Sequence, residues 1–345
     1  MKFLIPGCRH VAAAMLVAGL AFLGAGAAKA LDKVTIGTNW LPEVEHGGLY
    51  QAKATGLFKN YGLDAEIVPG GPQVNNAMLL LSGKMDFILL HTSGQVIAAA
   101  QEGAPMVAVA SFYQKDPQVI VSHKNVGHDT LESLKGVPVM LSQDSLSSFW
   151  PWLKQKYGYT DDQVRPYTFQ QAPFLSDAQA VQQSYLTAEP FAIKQAGVDP
   201  NIFLLSDYGW NTYATLLVTR RDVIEKNPDL VKRVVRATLE GWYSFFADPE
   251  PAKKLVHELE PDMSYPQMEY SIEEMKKNGI VISGDVSTLG VGAMTEKRWD
   301  DFYKQMMKAG VYKDGLDLKK VYSLDYVNDP AFLAKMKEKY PGVVE

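Results

Sequence analysis

Most of the polar residues that could do chemistry in this sequence lie in loops that precede helices. Glu45 and His46 follow a short β-branched run and share their loop with an aromatic residue, Trp40. Glu189 stands directly before Pro190, which holds it out of helical geometry at the start of a helix. A carboxylate placed there could accept paired N–H bonds from an amidine-like edge of a ligand. We therefore expect these residues to contribute to a ligand pocket, unless Trp40 is a core residue and the acids are solvated.

Further candidates share this setting between a strand and a helix. Gly71 belongs to a Gly-Gly-Pro turn whose following helix offers free N–H groups, and Thr92 precedes a helix that Ser93 could simply cap. Ser145 and Phe149 belong to a run of polar caps and aromatics that could form one wall of a site or a capped helix with core aromatics. Tyr208 and Trp210, which lie farther along the chain, could close over a cleft. The candidate ligand-binding residues are Asn39, Trp40, Glu45, His46, Gly71, His91, Thr92, Ser145, Phe149, Glu189, Tyr208 and Trp210.

The sequence gives little sign of catalysis or of a metal centre. Its histidines are scattered, and none has the i, i+4 spacing with Glu that marks a zinc helix. There is no Gly-x-Ser-x-Gly elbow, no phosphate loop and no Gly-x-Gly-x-x-Gly after a strand. We therefore expect no catalytic residue, no metal and no cofactor. The alternative is a secreted enzyme that uses Glu45 and Glu189 as an unrecognised acid/base pair.

Charge and cysteine content exclude two further classes of protein. Lys and Arg total 34 and Asp and Glu total 39, so the net charge is −5, and the chain lacks the basic surface that nucleic-acid binding requires. A single cysteine cannot build a disulfide or zinc framework. With 47% hydrophobic and 21% charged residues the chain has the composition of a soluble globular protein, and its length suggests about two domains.

The first thirty residues have the pattern of a secretory signal peptide. Lys2 and Arg9 give a cationic start, an uncharged apolar run covers 11–28, and Ala30 ends a small-x-small cleavage site. The alternative is a membrane anchor, which the Gly/Ala-rich run and the cleavage site disfavour. Cleavage after Ala30 would remove three positive charges, no acid and the single Cys8, leaving a net charge of −8. We expect the mature protein in the periplasm.

The mature chain alternates predicted strands and helices and then becomes helical from Asp222 onward. Strand and helix in alternation predict a parallel sheet with helices on both faces. The predicted strands are 34–37, 65–69, 85–90, 106–112, 118–123, 137–141, 164–169, 202–205 and 215–219, and the predicted helices include 147–157 and 223–246. The final helices have no sheet of their own, so we expect them to pack on the first one.

This pattern predicts two lobes with a cleft between them. Lobe 1 comprises residues 31–117 and 219–345, and lobe 2 comprises residues 118–218. The chain would cross between the lobes near 113–118 and near 215–219. Strand C-termini and helix N-termini would face the cleft, where a ligand can lie.

A series of short motifs runs through the whole mature chain. It begins with a strand followed by Asn-Trp-x-Pro in 34–46 and continues with Gly-Leu-Tyr-Gln-Ala-Lys-Ala-Thr-Gly-Leu-Phe in 48–58 and Tyr-Gly-Leu-Asp in 61–64. Gly-Gly-Pro in 70–72, Leu-Ser-Gly-Lys-Met-Asp-Phe in 81–87 and Gly-Ala-Pro-Met in 103–106 follow. The last three motifs are Leu-Lys-Gly in 134–136, Thr-Ala-Glu-Pro in 187–190 and Tyr-Val-Asn-Asp in 326–329. In this order the motifs resemble the periplasmic solute-binding proteins of ABC importers. The resemblance is to the branch of nitrate, sulfonate, taurine and thiamine-pyrimidine-precursor binders, and among these most to the pyrimidine-precursor binders.

The resemblance implies both a fold and a function. The fold is α/β and two-lobed, the type II periplasmic-binding-protein fold, with Rossmann-like lobes, parallel-dominated mixed sheets and a helical C-terminal extension on lobe 1. The function is that of a monomeric binding protein that does no chemistry. It would deliver a small nitrogenous heterocycle, such as a thiamine-precursor pyrimidine, to an ABC permease and ATPase complex in the inner membrane. Trp40 would stack on the ring and Glu189 would bond to an aminopyrimidine edge.

Alternatives remain within and beside this family. The ligand could be a sulfonate, taurine, nitrate or an aromatic acid, although acidic and neutral loops disfavour sulfonate and nitrate. The suicide pyrimidine synthase of thiamine biosynthesis resembles the same fold, but it needs a Cys-rich iron motif and a lysine that holds pyridoxal phosphate, and the mature chain has no Cys. The remaining alternative is a protein of the same fold that senses a ligand and acts as the partner of a membrane receptor.

Overall fold

The computed structural model describes Met1 and residues 30–344. The predicted signal peptide, residues 1–30 with Cys8, therefore lies almost entirely outside the described residues. Among the helices of the described part, none combines the length and the apolar character needed to cross a membrane.

The described residues form ten strands and fifteen α-helices. The strands are β1 Asp32–Gly37, β2 Leu63–Val68, β3 Phe87–Thr92, β4 Met106–Tyr113, β5 Gln118–His123, β6 Val139–Leu141, β7 Val164–Pro166, β8 Val181–Tyr185, β9 Pro200–Leu204 and β10 Ala214–Arg220. The helices are α1 Gly47–Ala54, α2 Leu57–Asn60, α3 Asn76–Leu81, α4 Ser93–Gln101, α5 Gln143–Ser147, α6 Phe149–Tyr157, α7 Ala172–Ser176, α8 Glu189–Gln195, α9 Arg221–Lys226, α10 Pro228–Ala247, α11 Glu250–Leu259, α12 Tyr265–Lys277, α13 Val286–Leu289, α14 Glu296–Lys308 and α15 Pro330–Lys339.

The first sheet has the strand order β2-β1-β3-β10-β4. Strand β1 pairs in parallel with β2 and β3, whereas β10 pairs antiparallel with β3 and β4, so four of the five strands run in one direction. Every residue of β4 is buried, which explains why its sequence is a continuous apolar run rather than an alternating one. The sheet is covered on both faces.

The second sheet repeats this plan with the order β7-β6-β8-β5-β9. Strand β6 is parallel to β7 and β8, and β5 is antiparallel to β8 and β9. The reversed strand again occupies the position next to one edge. Each lobe is thus built on a mixed sheet in which parallel order dominates, as the sequence predicts.

Two segments connect the lobes. Residues 114–117 lead from β4 to β5, and residues 205–213 lead from β9 to β10. The second crossing therefore ends just before residues 215–219, near which the sequence predicts it, and those residues themselves lie within β10. The predicted lobe boundary between 218 and 219 also falls inside β10, all of which pairs in the first sheet. In each sheet the reversed strand is the one that follows a crossing.

The C-terminal helices pack on the first lobe. Helix α10 lies so close to α1 that a Cβ on Gly241 would stand 2.0 Å from the Gly48 carbonyl oxygen, which requires glycine there. Trp242 of α10 packs against Phe112 of the first sheet. Helix α12 reaches the second lobe as well, since the Ser271 hydroxyl donates to the Thr187 carbonyl at 2.7 Å.

Three predicted elements differ from the structure. The predicted helix 147–157 is divided at Ser148 into α5 and α6. The predicted helix 223–246 is broken at Asn227, whose side chain accepts from the Leu230 N–H and so caps α10. The predicted strand 164–169 ends at Pro166, and the residues beyond it turn into the cleft.

Candidate functional site

The cleft between the lobes contains two connected chambers. The inner chamber has a volume of about 120 Å³ and is lined by Asn39, Trp40, Glu43, Glu45, His46, His91, Gln118, Phe169, Gln183, Ser184, Tyr185, Ala188, Glu189 and Thr215. The outer chamber has a volume of about 370 Å³, and its lining includes Thr92, Gln95, Glu102, Asp116, Ser142, Asp144, Ser145, Ser147, Ser148 and Trp210. The residues shared by both linings are Trp40, His91, Gln118, Phe169 and Gln183.

An aromatic pair spans the cleft where the chambers meet. Trp40 of lobe 1 and Phe169 of lobe 2 have ring centroids 5.5 Å apart, with their planes tilted by 44°. The Trp40 carbonyl accepts from the Thr38 hydroxyl at 2.7 Å and from the Gly70 N–H at 3.0 Å, so the loop that carries the indole is fixed. A Cβ on Gly70 would stand 2.2 Å from the Thr38 carbonyl oxygen, and only glycine permits this approach. The indole is thus positioned before any ligand arrives.

Two residues of the inner chamber have a left-handed backbone although they are not glycine. Phe169 has φ 61° and Thr215 has φ 47°. Such conformations cost of order 1–3 kcal/mol each and persist only where the surrounding structure holds them. For Phe169 this conformation belongs to the loop that carries its ring to Trp40. Strain at two lining residues of one chamber is typical of a binding site.

Glu189 is held by two donors from its own lobe. One carboxylate oxygen accepts from the Tyr167 hydroxyl at 3.0 Å and the other accepts from the Tyr185 N–H at 2.7 Å. Burial is the largest influence on this group and raises its pKa above the usual range. Each oxygen has a further lone pair, so the carboxylate can still accept from a ligand.

Two more carboxylates line the same chamber. Burial, together with the charges of Glu45 and Glu189, raises the pKa of Glu43 well above its usual range. Burial raises the pKa of Glu45 to about 7, against the opposing effect of the nearby Thr187 and Ser271 hydroxyls. Neither hydroxyl makes a hydrogen bond of normal geometry with Glu45, and both of its carboxylate oxygens are buried without a partner.

The amide of Asn39 links two histidines across the floor of lobe 1. Its oxygen lies 2.8 Å from Nε2 of His46, and its nitrogen lies 2.8 Å from Nδ1 of His91. With the amide in this orientation, His46 carries its proton on Nε2, and Nδ1 of His91 is an acceptor. Burial lowers the pKa of His46 to about 3 and also lowers that of His91, so both rings are neutral. Neutral His91 then carries its proton on Nε2 and can donate it.

Several hydrogen-bond acceptors of the inner chamber are buried without a partner. Besides the Glu45 oxygens, the side-chain oxygen of Gln118 is buried without a partner. Within the described residues, neither chamber has a lysine or an arginine in its lining. A buried acceptor left unpaired costs about 1–3 kcal/mol, so the chamber favours a ligand that brings several N–H donors and a planar face. An oxyanion would find no cation here.

Nine of the twelve predicted site residues line these chambers. Asn39, Glu45, His46 and Glu189 line the inner chamber, Thr92, Ser145 and Trp210 line the outer one, and Trp40 and His91 line both. Trp210 is buried rather than closing over the cleft, because its indole N–H donates to Asp116 at 2.8 Å.

Three predicted residues line neither chamber. Phe149 is a core residue whose ring packs edge-on against Trp210 at 6.5 Å. Tyr208 packs against Phe203 on the far side of its turn. Gly71 lies in the turn beside Leu41, outside both linings. Phe149, Tyr208 and Gly71 lie in or beside polar loops, as the nine lining residues do. They differ in that none of the three faces the cleft.

Eight residues of the inner chamber are not among the predicted site residues. They are Glu43, Gln118, Phe169, Gln183, Ser184, Tyr185, Ala188 and Thr215. Glu43 shares the loop of Glu45, and that loop could have indicated it. The sequence predicts Phe169 and Thr215 to be ordinary strand residues, because nothing in a single sequence indicates their left-handed conformations.

The described residues contain no cluster of three or more His, Cys, Asp or Glu side chains able to hold a metal ion. The inner chamber contains an aromatic pair, three carboxyl groups, two neutral histidines and three amide side chains. Its geometry suits binding of a donor-rich flat molecule.

Similarity to known proteins covers most of the chain. A family profile described as "NMT1/THI5 like" matches residues 43–252. Riboflavin-binding protein RibY of Chloroflexus aurantiacus is 24% identical over 307 residues, which cover 86% of this chain and 86% of that protein. The formylaminopyrimidine-binding protein of Halalkalibacterium halodurans is 25% identical over 254 residues, which cover 71% of this chain and 76% of that protein.

An enzyme is also among the similar proteins. The 4-amino-5-hydroxymethyl-2-methylpyrimidine phosphate synthase THI12 of Saccharomyces cerevisiae is 25% identical over 267 residues, which cover 68% of this chain and 75% of that protein. The similarity therefore extends to binding proteins and to a synthase.

Solved structures show the fold. The periplasmic aliphatic sulphonate binding protein SsuA of Escherichia coli superposes with a TM-score of 0.64 at 17% identity, covering 81% of this chain and 86% of that chain. The two five-stranded mixed sheets with helices on both faces are thus those of the two-lobed periplasmic-binding-protein fold. The predicted fold class is confirmed.

Proposed function

The chain belongs to the NMT1/THI5-like family, and on that premise we propose that it is an extracytoplasmic solute-binding protein that captures a small nitrogenous heterocycle between its lobes. The ligand is a donor-rich planar ring, of which a thiamine-precursor pyrimidine is one example. The protein passes the ligand to an ABC permease and ATPase complex in the membrane. The N-terminal thirty residues act as the export signal.

One observation carries this proposal: the inner chamber combines unpaired acceptors with an aromatic pair, and none of the described residues that line it is a lysine or an arginine. The Glu45 and Gln118 oxygens need N–H donors, which an amino-substituted heterocycle supplies. The rings of Trp40 and Phe169 supply apolar faces at the same position. Two similar proteins are named for binding a flavin and a formylaminopyrimidine, which are nitrogenous heterocycles.

The energy required is modest. A micromolar site needs about 8 kcal/mol of binding free energy. One stacked ring, two or three hydrogen bonds to otherwise unpaired groups and the removal of water from apolar walls are sufficient after ordering costs. Closure of the lobes contributes only if the ligand makes contacts in the closed form that it lacks in the open one.

The same lining argues against the other ligand classes on this fold. A sulfonate or nitrate would lie beside Glu43, Glu45 and Glu189 with no arginine or lysine in either described lining. Taurine and aromatic acids also carry an anionic group, which meets the same carboxylates. These ligands are disfavoured by charge.

We also propose that the protein binds without turnover. The synthase alternative needs a lysine to hold pyridoxal phosphate as an imine, and no lysine lines either chamber among the described residues. The raised pKa values of Glu45 and Glu189 are explained by burial, and both groups face the same small chamber as Glu43. The carboxylates therefore fit ligand recognition better than acid/base catalysis.

Isothermal titration calorimetry against a ligand panel tests the proposal. The panel contains aminopyrimidines, flavins, alkanesulfonates, nitrate and aromatic acids. We expect 1:1 binding of a nitrogenous heterocycle and no heat with sulfonate or nitrate, and chromatography after overnight incubation should return the ligand unchanged. Tight binding of an oxyanion would contradict the ligand class, and a converted product would contradict binding without turnover.

A further inference from the structure

Arg298, in the first turn of α14, bonds to both segments that cross between the lobes. One guanidinium nitrogen, Nη2, donates to the Gln114 carbonyl of the first crossing and, at 2.8 Å, to the Thr212 carbonyl of the second. Nη1 donates to the side-chain oxygen of Gln114 at 3.2 Å, and the guanidinium lies over the Tyr213 ring, 4.1 Å from its centroid. One side chain therefore bridges the two crossings where they leave lobe 1.

The charge of Arg298 has little electrostatic support. Arg220, Arg233 and Arg236 each pair with an aspartate, whereas no carboxylate in the described part of the chain forms a salt bridge with Arg298. The side chain starts at the positive end of the helix dipole, and its Nε is buried without a partner. Burial lowers the pKa of the guanidinium, which nevertheless stays protonated at neutral pH. The backbone carbonyls that it joins explain why a cation stands here.

The lobe-1 end of each crossing is held by further bonds. In the first crossing, the N–H groups of Gln114 and Lys115 donate to the Ile280 carbonyl at 2.7 and 3.1 Å. In the second crossing, the Tyr213 carbonyl accepts from the Ser93 N–H at 2.9 Å. Arg298 thus joins two chain ends that are already fixed to lobe 1, and the free parts of the crossings lie beyond it, toward lobe 2.

The same face of α14 continues along the second crossing. Arg298, Phe302 and Gln305 are spaced i, i+4, i+7 and so lie on one side of the helix. The Phe302 ring packs edge-on against Trp210 with centroids 5.3 Å apart, and the Gln305 amide donates to the carbonyl of the residue before Trp210 at 2.9 Å. Trp152 of lobe 2 also contacts Trp210, with centroids 5.6 Å apart. The second crossing therefore runs between α14 of lobe 1 and α6 of lobe 2.

From these contacts we infer that Arg298 is a positioning residue of the hinge, which fastens the two crossings to each other so that they bend as a pair. Bending is confined to the lobe-2 side of the bridged carbonyls, residues 115–117 and 205–211. Without the bridge each crossing bends on its own, and the lobes sample a wider range of angles. Arg298 lines neither chamber, so its role does not depend on the identity of the ligand.

Distances between spin labels on the two lobes test this role. The chain has a single cysteine, Cys8, so in a Cys8→Ser background labels attach only at introduced cysteines. Ser82→Cys in lobe 1 and Ser176→Cys in lobe 2 provide the two positions, because both serines are exposed. Pulsed electron double resonance on the ligand-free protein then gives the distribution of interlobe distances.

Two variants of Arg298 alter the bridge to different extents. Arg298→Met removes every donor, and we expect the distance distribution to become about 1.5-fold wider or more, because the crossings then bend independently. Arg298→Lys keeps the cation but loses the planar fork, so its distribution should have an intermediate width. If Arg298→Met does not fold, Arg298→Lys decides alone. A distribution as narrow as that of the unchanged protein overturns the inference.

Arg220→Met is the matched control. Arg220 is also half-buried, and its Nη1 donates to two backbone carbonyls, those of Leu80 at 2.8 Å and Met85 at 3.0 Å, but both belong to lobe 1. Its Nε also pairs with Asp222. We expect urea unfolding to show a loss of stability in Arg220→Met, while the distance distribution stays that of the unchanged protein. Equal widening in Arg220→Met and Arg298→Met would reduce the effect to general destabilisation and contradict the inference.

Discussion

The indole N–H of Trp210 donates to a carboxylate oxygen of Asp116 at 2.8 Å, and this bond joins the two segments that cross between the lobes. A salt bridge between the same two segments lies beside it, from the Lys115 ammonium to Asp207, also at 2.8 Å. Asp116 is buried, and burial raises its pKa to about 6. The segments about which the lobes would move are therefore tied to one another next to the outer chamber.

Trp210→Phe tests the buried bond. The change keeps an aromatic ring but leaves the Asp116 carboxyl with one donor fewer in a buried position, which should lower the free energy of unfolding by about 1–3 kcal/mol. Thermal or urea unfolding measures the loss.

Trp150→Phe is the control for that variant. The Trp150 N–H makes an equivalent bond, of 2.9 Å, to Asp161, but the Asp161 side chain is 72% exposed. Water can replace the lost donor there, so we expect a clearly smaller loss. Equal losses in the two variants would show that burial of Asp116 adds nothing to the strength of the bond.

Trp40→Ala should weaken ligand binding more than tenfold, because it removes one face of the aromatic pair and the stacking surface of the inner chamber. The melting temperature of the empty protein should change little, since Trp40 is only half-buried. Phe332→Ala, at a half-buried aromatic in α15 outside both chambers, is the control and should leave affinity unchanged. A collapse of the melting temperature in Trp40→Ala would make the residue part of the core and misplace the site.

Glu189→Gln should lower affinity for aminopyrimidines about tenfold, because it replaces a charged acceptor by a neutral amide that also carries donors. Tyr167→Phe keeps the carboxylate and removes only its hydroxyl partner, so its effect on affinity should be smaller. Calorimetry with one aminopyrimidine measures both variants. Unchanged affinity in Glu189→Gln would exclude a contact with the ring edge.

Ionisation of Glu45 should lower the stability of the ligand-free protein by about 1 kcal/mol as pH rises from 6.5 to 8. The pKa of Glu45 is about 7 in the folded protein and 4.5 ordinarily, so the folded state binds more protons, and raising the pH removes this advantage. His46 and His91 oppose this change, because burial lowers the pKa of both and the unfolded histidines still release protons up to about pH 7.5. The contribution of Glu45 is therefore measured as the difference between the unchanged protein and a variant that lacks the carboxyl group.

Melting temperatures of Glu45→Gln measure this contribution. Compared with the unchanged protein, the variant should lose less or gain more stability between pH 6.5 and 8, whereas Glu225→Gln, at an exposed position, should follow the profile of the unchanged protein. An identical pH profile for Glu45→Gln and the unchanged protein would show that Glu45 is ionised throughout this range.

The sequence was sufficient for features that depend on burial and local chain geometry. Strands β3, β4 and β5 are continuous apolar runs, and the predicted ends lie within two residues of the observed ones. Glu189 could be predicted to line the cleft because the proline after it marks a helix start. Trp40 could be predicted because its loop follows a strand. The predicted loops came together because the strand ends of both lobes face one cleft.

The features that could not be predicted depend on contacts between distant parts of the chain. Asn39 bonds to His91 only because β1 and β3 are neighbours, and no local pattern marks that bond. Phe169 reaches Trp40 through a left-handed backbone that ordinarily favours glycine. Phe149 has the same polar surroundings as Ser145, and only the packing of α6 turns its ring into the core.

Strand β10 lies between β3 and β4, although about a hundred residues separate it from them along the chain. A chain that emerges N-terminus first would therefore hold β3 and β4 apart, with their facing edges unpaired, until the whole of the second lobe and β10 have followed. Exposed strand edges attract other strands. The first lobe is consequently the last to be completed, and until then its open strand edges are available to other chains.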